Sequence, residues 1–381
     1  MRRNDTDRDT TGLGDEKRFL WRTVTLGMLV LVLLPFPGVA EDFARAVPGR
    51  EFVFPQDHGK HPDFQTEWWY FTGNLRSDHN RWGFQLTFFR RALAKTPPPW
   101  RSAWTVRDVY PAHFALTDGK SGRFFHAELI AREGPGLAGA APDNLDVWVR
   151  DWSATAEDNS IRLRARQDDC DLDLRLIPVK PPVLHGNNGY SRKGISPTQA
   201  SYYYSFTRLK TQGVLTINGT SHSVDGYAWM DHEFGSSILL ESQVGWDWFG
   251  IQLDDGSEIM LFYLRNKDGT RDRIFGTFVP RETSPVNLNP QGLSIEATGT
   301  WKSPHTGAVY PSGWRVRIPS LDLDLEMTPI LRDQELSTGR STSIVYWEGA
   351  VDARGVRAGA PVQGHGYVEL TGYAQGMAGR L

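Results

Sequence analysis

Hydrophobic and polar residues alternate along most of this chain. Ile161, Leu163 and Ala165 are separated by Arg162, Arg164 and Arg166, and Leu172, Leu174 and Leu176 stand between Asp171, Asp173 and Arg175. Leu321, Leu323, Leu325 and Met327 alternate with Asp322, Asp324 and Glu326 in the same way. A period of two predicts strands with one buried and one wet face. Asp118-Gly119, Asp255-Gly256 and Asp268-Gly269 punctuate the runs and predict tight hairpins. Beyond the first 40 residues only Gln199 to Ser205 hints at a short helix. The segment Pro181 to Pro197, rich in Gly, Asn and Pro, predicts a long irregular loop that could serve as a lid or rim. Many short antiparallel strands predict a barrel or a sandwich.

An internal repeat sharpens this. Trp68-Trp69-Tyr70-Phe71-Thr72-Gly73-Asn74-Leu75 aligns with Trp246-Asp247-Trp248-Phe249-Gly250-Ile251-Gln252-Leu253, and each is followed by an apolar strand ending in Arg, at Arg90 and Arg265. Val224 to Asp231 aligns with Val362 to Glu369, each placing an aromatic two residues before an acid. Two ordered matches predict duplication. The expected architecture is all-β, two antiparallel barrel domains, at residues 41–238 and 239–381, after a segment 1–40.

That first segment has the build of a secretory signal. Lys17, Arg18 and Arg22 precede an apolar stretch from Val24 to Phe36, and Gly38-Val39-Ala40 supplies small residues before an expected cleavage after Ala40. A periplasmic or secreted protein is the expectation. Cys170 is the only cysteine, so no intrachain disulfide can form and stability must come from apolar cores. A net charge of −3 without a long basic run argues against a nucleic-acid partner.

The candidate chemistry is aromatic and acidic. The chain has 14 Trp, many beside charged groups: Glu67-Trp68-Trp69-Tyr70, Trp229-Met230-Asp231-His232-Glu233, Trp246-Asp247-Trp248 and Tyr346-Trp347-Glu348. By alternation Trp229 and Asp231 share a face. A carboxyl facing an aromatic interior is desolvated, its pKa rises, and it can serve as a general acid near neutral pH. The competing reading is that such acids satisfy Trp N–H and backbone donors at barrel ends. His58-Gly59-Lys60-His61, flanked by Asp57 and Asp63, has metal-ligand residue types, but nothing else completes a ligand pattern. It reads better as a polar cover over a barrel mouth, and no metal or cofactor is expected. Gly189 to Gly194 fails the spacing of a nucleophile elbow, and no phosphate-binding loop or dinucleotide fingerprint is present.

His58-Gly59-Lys60-His61-Pro62 followed by Thr66 to Leu75 resembles the opening of the AttH family, which includes the carotenoid 1,2-hydratases (hydroxyneurosporene synthases). Tyr190 to Gly194, Ala200 to Ser205, Asp231 to Ser236 and Gly245 to Phe249 are similar to its exported branch, often labelled predicted secreted hydrolases. The resemblance runs from about residue 50 to 375. It implies two lipocalin-like (calycin) barrels and water addition to an isoprenoid double bond without a cofactor. Such chemistry needs a proton donor, an apolar tunnel and aromatic faces beside a carbocation. The carotenoid enzymes carry Asp-His-Asn-Trp-Gly where this chain has Asp231-His232-Glu233-Phe234-Gly235, and an acid two residues after a Tyr where this chain has Tyr263-Leu264-Arg265. Related fungal proteins of this fold are cyclases, so the fold does not fix the reaction.

The expectation is an exported protein that binds an apolar or isoprenoid-like small molecule, either a hydratase or hydrolase or a non-catalytic carrier, with a pericyclase-like role as a third reading. Asp231 is the candidate general acid, His232 its partner, and Glu67 a second acid. Trp68, Tyr70, Tyr204, Trp229, Trp246, Trp248, Trp347 and Tyr367 are the candidate ligand-binding residues. Peripheral membrane association and the oligomeric state are left open.

Overall fold

The computed structural model describes residues 43–77, 80–96, 102, 105–194, 199–236, 239–272 and 274–377. The candidate signal, with its cleavage point at Ala40, lies outside them, as does Pro197.

The first thirteen strands are β1 (Thr66–Ser77), β2 (Asn80–Ala92), β3 (Asp108–Asp118), β4 (Arg123–Arg132), β5 (Ala138–Ala140), β6 (Asp146–Val149), β7 (Trp152–Glu157), β8 (Ser160–Gln167), β9 (Cys170–Pro178), β10 (Val183–Leu184), β11 (Tyr190–Arg192), β12 (Ala200–Ile217) and β13 (Thr220–Gly235). They form one antiparallel sheet in the order β4-β3-β2-β1-β13-β12-β9-β8-β7-β6-β5. The edge strand β4 returns against β5 and β6, which nearly closes the sheet into a barrel.

The rest are β14 (Gln243–Leu253), β15 (Glu258–Asn266), β16 (Phe275–Val279), β17 (Val286–Asn287), β18 (Ser294–Ala297), β19 (Thr300–Lys302), β20 (Val309–Pro311), β21 (Trp314–Ile318), β22 (Leu323–Pro329), β23 (Glu335–Thr338), β24 (Ile344–Arg357) and β25 (Ala360–Thr371). All but β19 and β20 belong to a second sheet, whose main path is β17-β16-β15-β14-β25-β24-β22-β21-β18, a half-barrel. The all-β, two-barrel, lipocalin-like expectation therefore holds.

Alternation does what it predicts. Ile161, Leu163, Ala165, Leu172, Leu174 and Leu176 are buried, while Arg162 and Arg164 reach Asp173 across the wet face. Leu323, Leu325 and Met327 are buried too, but Leu321 and Asp322 belong to a 3₁₀ turn and its left-handed cap, so that strand starts later than its pattern suggests. Two other expectations fail. Residues 199–205 are not helical, because from Ala200 onward they form the start of β12, whose aromatic side chains are buried on both faces. The described part of the 181–197 segment is not structureless, since β10 and β11 pair with β12.

Duplication shows in the strand register. Tyr70 pairs with Asp231 on β1–β13, and their repeat counterparts Trp248 and Glu369 pair on β14–β25. One step outward, Ser205 opposes Asp231 and Glu348 opposes Glu369.

Three of the apolar clusters among the described residues frame the two halves and their seam. One fills the first barrel, with Trp69, Phe71 and Trp152, and one fills the second, with Phe249, Trp314 and Trp347. The third, containing Tyr70, Tyr203, Trp229, Trp248, Phe262 and Tyr367, lies between the two sheets. Each such ring taken from water contributes on the order of 1.5–3 kcal/mol. Polar clamps reinforce the seam. Buried Glu258 accepts from Lys180 (2.8 Å) and Arg208 (2.5 Å), and the Gln252 amide donates to the carbonyls of Thr207 (2.8 Å) and Ala228 (2.9 Å).

Candidate functional site

A cavity of about 180 Å³ lies within the seam between the sheets. Its first wall comes from Trp68 and Tyr70 on β1, Phe89 on β2, Tyr203 on β12, and Asp231 and Glu233 on β13. The opposite wall comes from Trp246 and Trp248 on β14, Phe262 on β15, Tyr346 and Glu348 on β24, and Glu369 on β25. Alternation decides these memberships. Trp68 and Tyr70 face the seam while Trp69 and Phe71 fill the first barrel, and Trp248 faces the seam while Phe249 fills the second.

Asp231 is held by three donors. Trp229 Nε1 donates to Oδ1 at 2.5 Å, Tyr203 donates its hydroxyl to Oδ2 at 2.7 Å, and Ser205 donates its hydroxyl to Oδ1. Ser205 in turn accepts from His185 Nε2 at 2.7 Å, and Thr277 of the second sheet donates to His185 Nδ1 at 2.9 Å. Burial raises the Asp231 pKa, the three donors pull it back, and the balance stands at about 7. Glu369 accepts from Trp246 Nε1 at 2.8 Å; burial lifts it to about 7 against that donor, with Asp231 and Glu233 adding to the rise. Burial drives Glu348 well above the usual carboxylate range, and Glu369 opposite adds to it. Glu233 is paired with Lys193 at 2.8 Å and accepts from Ser201 at 2.6 Å. The Lys193 ammonium also sits 4.6 Å from the Tyr203 ring centre and 4.5 Å from that of Phe262.

The sequence-predicted residues divide into two groups. Asp231, Trp68, Tyr70, Trp246 and Trp248 line the cavity, and Trp229 and Tyr367 pack directly behind it. His232 is not the partner of Asp231, because adjacent strand residues face opposite sides. It points into the first barrel, where its Nε2 donates to Glu67 Oε1 at 2.9 Å and its Nδ1 accepts from Tyr204 at 3.0 Å. Tyr204 and Glu67 are therefore also on the far side of the sheet from the cavity. Trp347 belongs to the core of the second barrel and donates to the Arg332 carbonyl at 2.7 Å.

Glu67 does not have the character of a proton donor. It is fully buried, but Arg90 Nε (2.8 Å), His61 Nδ1 (2.7 Å) and His232 Nε2 (2.9 Å) all donate to it. Burial alone would raise its pKa, and the Arg90 and His61 charges override this and hold it well below the usual range. Arg90 also binds Asp108 and the carbonyls of His61 and Phe64, while Asp57 accepts from His61 Nε2 at 2.9 Å. His61, Glu67 and His232 do place three ligand-type atoms within 4.8 Å of one another. Yet both imidazoles donate to the same carboxylate oxygen and Arg90 occupies the other, so the arrangement is a charge-balanced latch. It holds the N-terminal segment, whose Phe52 and Phe54 pack on Tyr204, over the first barrel.

Tyr203, Glu348 and Glu369 are the functional candidates that sequence reasoning missed. Glu369 was visible as the repeat counterpart of Asp231. Glu348 was visible in Tyr346-Trp347-Glu348, where attention to the Trp selected the wrong face.

The family model described as AttH-like matches residues 45–373. This chain belongs to the AttH-like family. An AttH protein from Nitrosomonas europaea is 40% identical over 87% of this chain and all of its own, with a TM-score of 0.78. Kievitone hydratase from Nectria haematococca has a similar fold at 18% identity, a TM-score of 0.65, and coverage of 88% of this chain and 97% of its own. CghA is similar at 14% identity and a TM-score of 0.50, covering 82% of this chain and 89% of its own. Curated proteins yield no match. In this AttH-like chain Arg265, two residues after Tyr263, pairs with Asp247 at 2.8 Å at the end of the second barrel, as Arg90 pairs with Glu67 in the first.

Proposed function

We propose that this protein is a cofactor-free enzyme that moves protons to and from an apolar small molecule held between its two halves, with hydration of a carbon–carbon double bond as the reaction class. The observation that carries the reading is Asp231, a buried carboxyl on the cavity wall whose pKa stands near 7. A carrier needs only apolar walls, whereas a proton-transfer group works best with a pKa near the working pH. The rings of Trp68, Tyr70 and Trp248 supply π-faces for a positive charge that develops on carbon. The name of kievitone hydratase, borne by a protein of the same fold, points the same way. The small volume favours a slender apolar chain, isoprenoid or lipid-like, over a bulky polycyclic product. The signal-like segment supports action outside the cytoplasm.

The test starts with protein purified from its native compartment. N-terminal sequencing should begin near Glu41, and mass spectrometry of extracted small molecules supplies the ligand. In a turnover assay on that ligand Asp231→Asn, which keeps the shape, should lower kcat by about 10²–10⁴ while binding and Tm hold. Unchanged turnover in the variant, or a wild type that binds but converts nothing, would leave the carrier as the better reading.

A further inference from the structure

The two halves have put different groups at one repeat position beside the cavity. In the first half that position is Ser205, whose hydroxyl faces Asp231 across β12–β13. In the second it is Glu348, which faces Glu369 across β24–β25. A hydroxyl opposite a carboxylate donates to it and steadies its charge. A second carboxyl in that place repels it, and like charges directly opposite on a sheet are destabilising. Neither Glu348 nor Glu369 forms an ion pair with a Lys or Arg among the described residues. Lys193, the cation among the described cavity-lining residues, is taken by Glu233.

The pair must therefore keep at least one proton, and the count of donors says which member holds it. Glu369 accepts from Trp246, whereas Glu348 is 1% exposed and its Oε1 has no partner of good hydrogen-bond geometry among the described residues. The Tyr70 hydroxyl lies against Glu348 and that of Tyr367 against Thr117, neither in the geometry of a full hydrogen bond. Across the cavity Asp231 has three donors aimed at it, the setting of a carboxylate. Two acids in one site whose surroundings push them apart are an acid and a base.

We propose that Glu348 is the proton donor of this site and Asp231 its proton acceptor, so that each half of the duplicated fold contributes one catalytic residue. The assignment rests on the hydration reading given above. In the forward step the Glu348 O–H bond breaks, and its proton forms a C–H bond with the π-electron pair of the alkene. Water attacks the cationic carbon and forms the C–O bond, and its proton passes to Asp231. One water is consumed. The site resets when Asp231 releases its proton to solvent and Glu348 regains one by way of Glu369. Dehydration of a tertiary alcohol is the same path reversed.

Infrared titration of the full chain, together with turnover of farnesol and geranylgeraniol in ¹⁸O-water, tests the assignment. At about pH 9, above the value near 7 at which Asp231 and Glu369 lose their protons, the wild type should still show the carbonyl stretch of a protonated carboxyl, E348Q should remove it, and D231N should keep it. The titratable groups facing Glu348 are Tyr70 of β1, Tyr346 of its own strand β24, and Glu369 and Tyr367 of β25. In E369Q the repulsion is gone, so the same band should disappear at lower pH, a readout that stands even if E348Q folds poorly. E348Q should lose about 10²–10⁴ in kcat and the alkaline limb of the pH profile, whereas D231N should lose the acidic limb. A protonated-carboxyl band that persists in E348Q, or full turnover by E348Q, overturns the assignment while leaving the enzyme reading intact. A wild type that labels neither probe nor its extracted ligand overturns the enzyme reading itself, and Glu348 then has no reaction to serve.

Discussion

At the scale of single residues, the side of the strand matters more than sequence proximity. Asp231 and His232 are adjacent in the chain and on opposite faces of β13, one on the cavity and one in the latch with Glu67 and Tyr204. The pairing of Trp229 with Asp231 was legible because both are on the same face, two residues apart. The cavity acids leave a mark on stability. A carboxyl whose pKa rises on folding binds its proton more tightly in the folded chain, so its contribution is complete below the ordinary carboxylate pKa. That contribution is lost as pH rises through the folded value, about 7 for Asp231 and Glu369. Glu369→Gln should therefore raise Tm at about pH 8 and change it much less at about pH 5. Each pH unit of relief is worth about 1.4 kcal/mol, or roughly 2 °C for a protein of this size. Thermal melts at the two pH values measure it, and a variant that melts lower than wild type at the higher pH would show that the Trp246 contact outweighs the repulsion.

At the scale of elements, the repeat was legible because the strands that carry it keep their register. Glycines keep it too. A Cβ on Gly226 would lie 2.2 Å from the Asn74 carbonyl oxygen, and one on its counterpart Gly364 would lie 2.1 Å from that of Gln252, so both halves need the bare backbone where these neighbouring strands approach each other. The latch was not legible, because its members come from the N-terminal segment, β1, β2, β3 and β13, and no local spacing joins them. His61 was visible as a polar cover and Glu67 as an acid, but only the fold places Arg90 between Glu67 and Asp108. Breaking a buried ion pair by removing one charge costs about 3–5 kcal/mol. Glu67→Gln should therefore lower Tm strongly and open the segment around Phe52 to limited proteolysis. The folded fraction should retain its turnover, since Glu67 is on the other side of the sheet from the cavity. Loss of kcat in protein that is fully folded at the assay temperature would return Glu67 to the chemistry.

At the scale of the whole molecule, barrels of this kind invite the expectation of a ligand inside a barrel, and here both barrels are filled by their own side chains. The open space lies in the seam, where two sheets that each look complete leave aromatic residues facing one another. Patterning could not distinguish the two cases, because a seam-facing Trp and a barrel-facing Trp both alternate with period two. Trp248 and Trp347 separate them experimentally: the first lines the seam cavity, and the second fills the second barrel and reaches only the Arg332 carbonyl. Titration with farnesol should change intrinsic fluorescence saturably in the wild type. Trp347→Phe should keep that response and Trp248→Phe should lose most of it. The seam must also be held shut to bind. Glu258 of the second half is buried between Lys180 and Arg208 of the first, and Glu258→Gln loosens that clamp without touching the cavity wall. This variant should weaken farnesol binding by about tenfold, roughly 1.4 kcal/mol, along with a lower Tm. A ligand lodged inside one barrel would behave otherwise: Glu258→Gln would leave affinity unchanged in the folded protein, and Trp347→Phe rather than Trp248→Phe would abolish the signal.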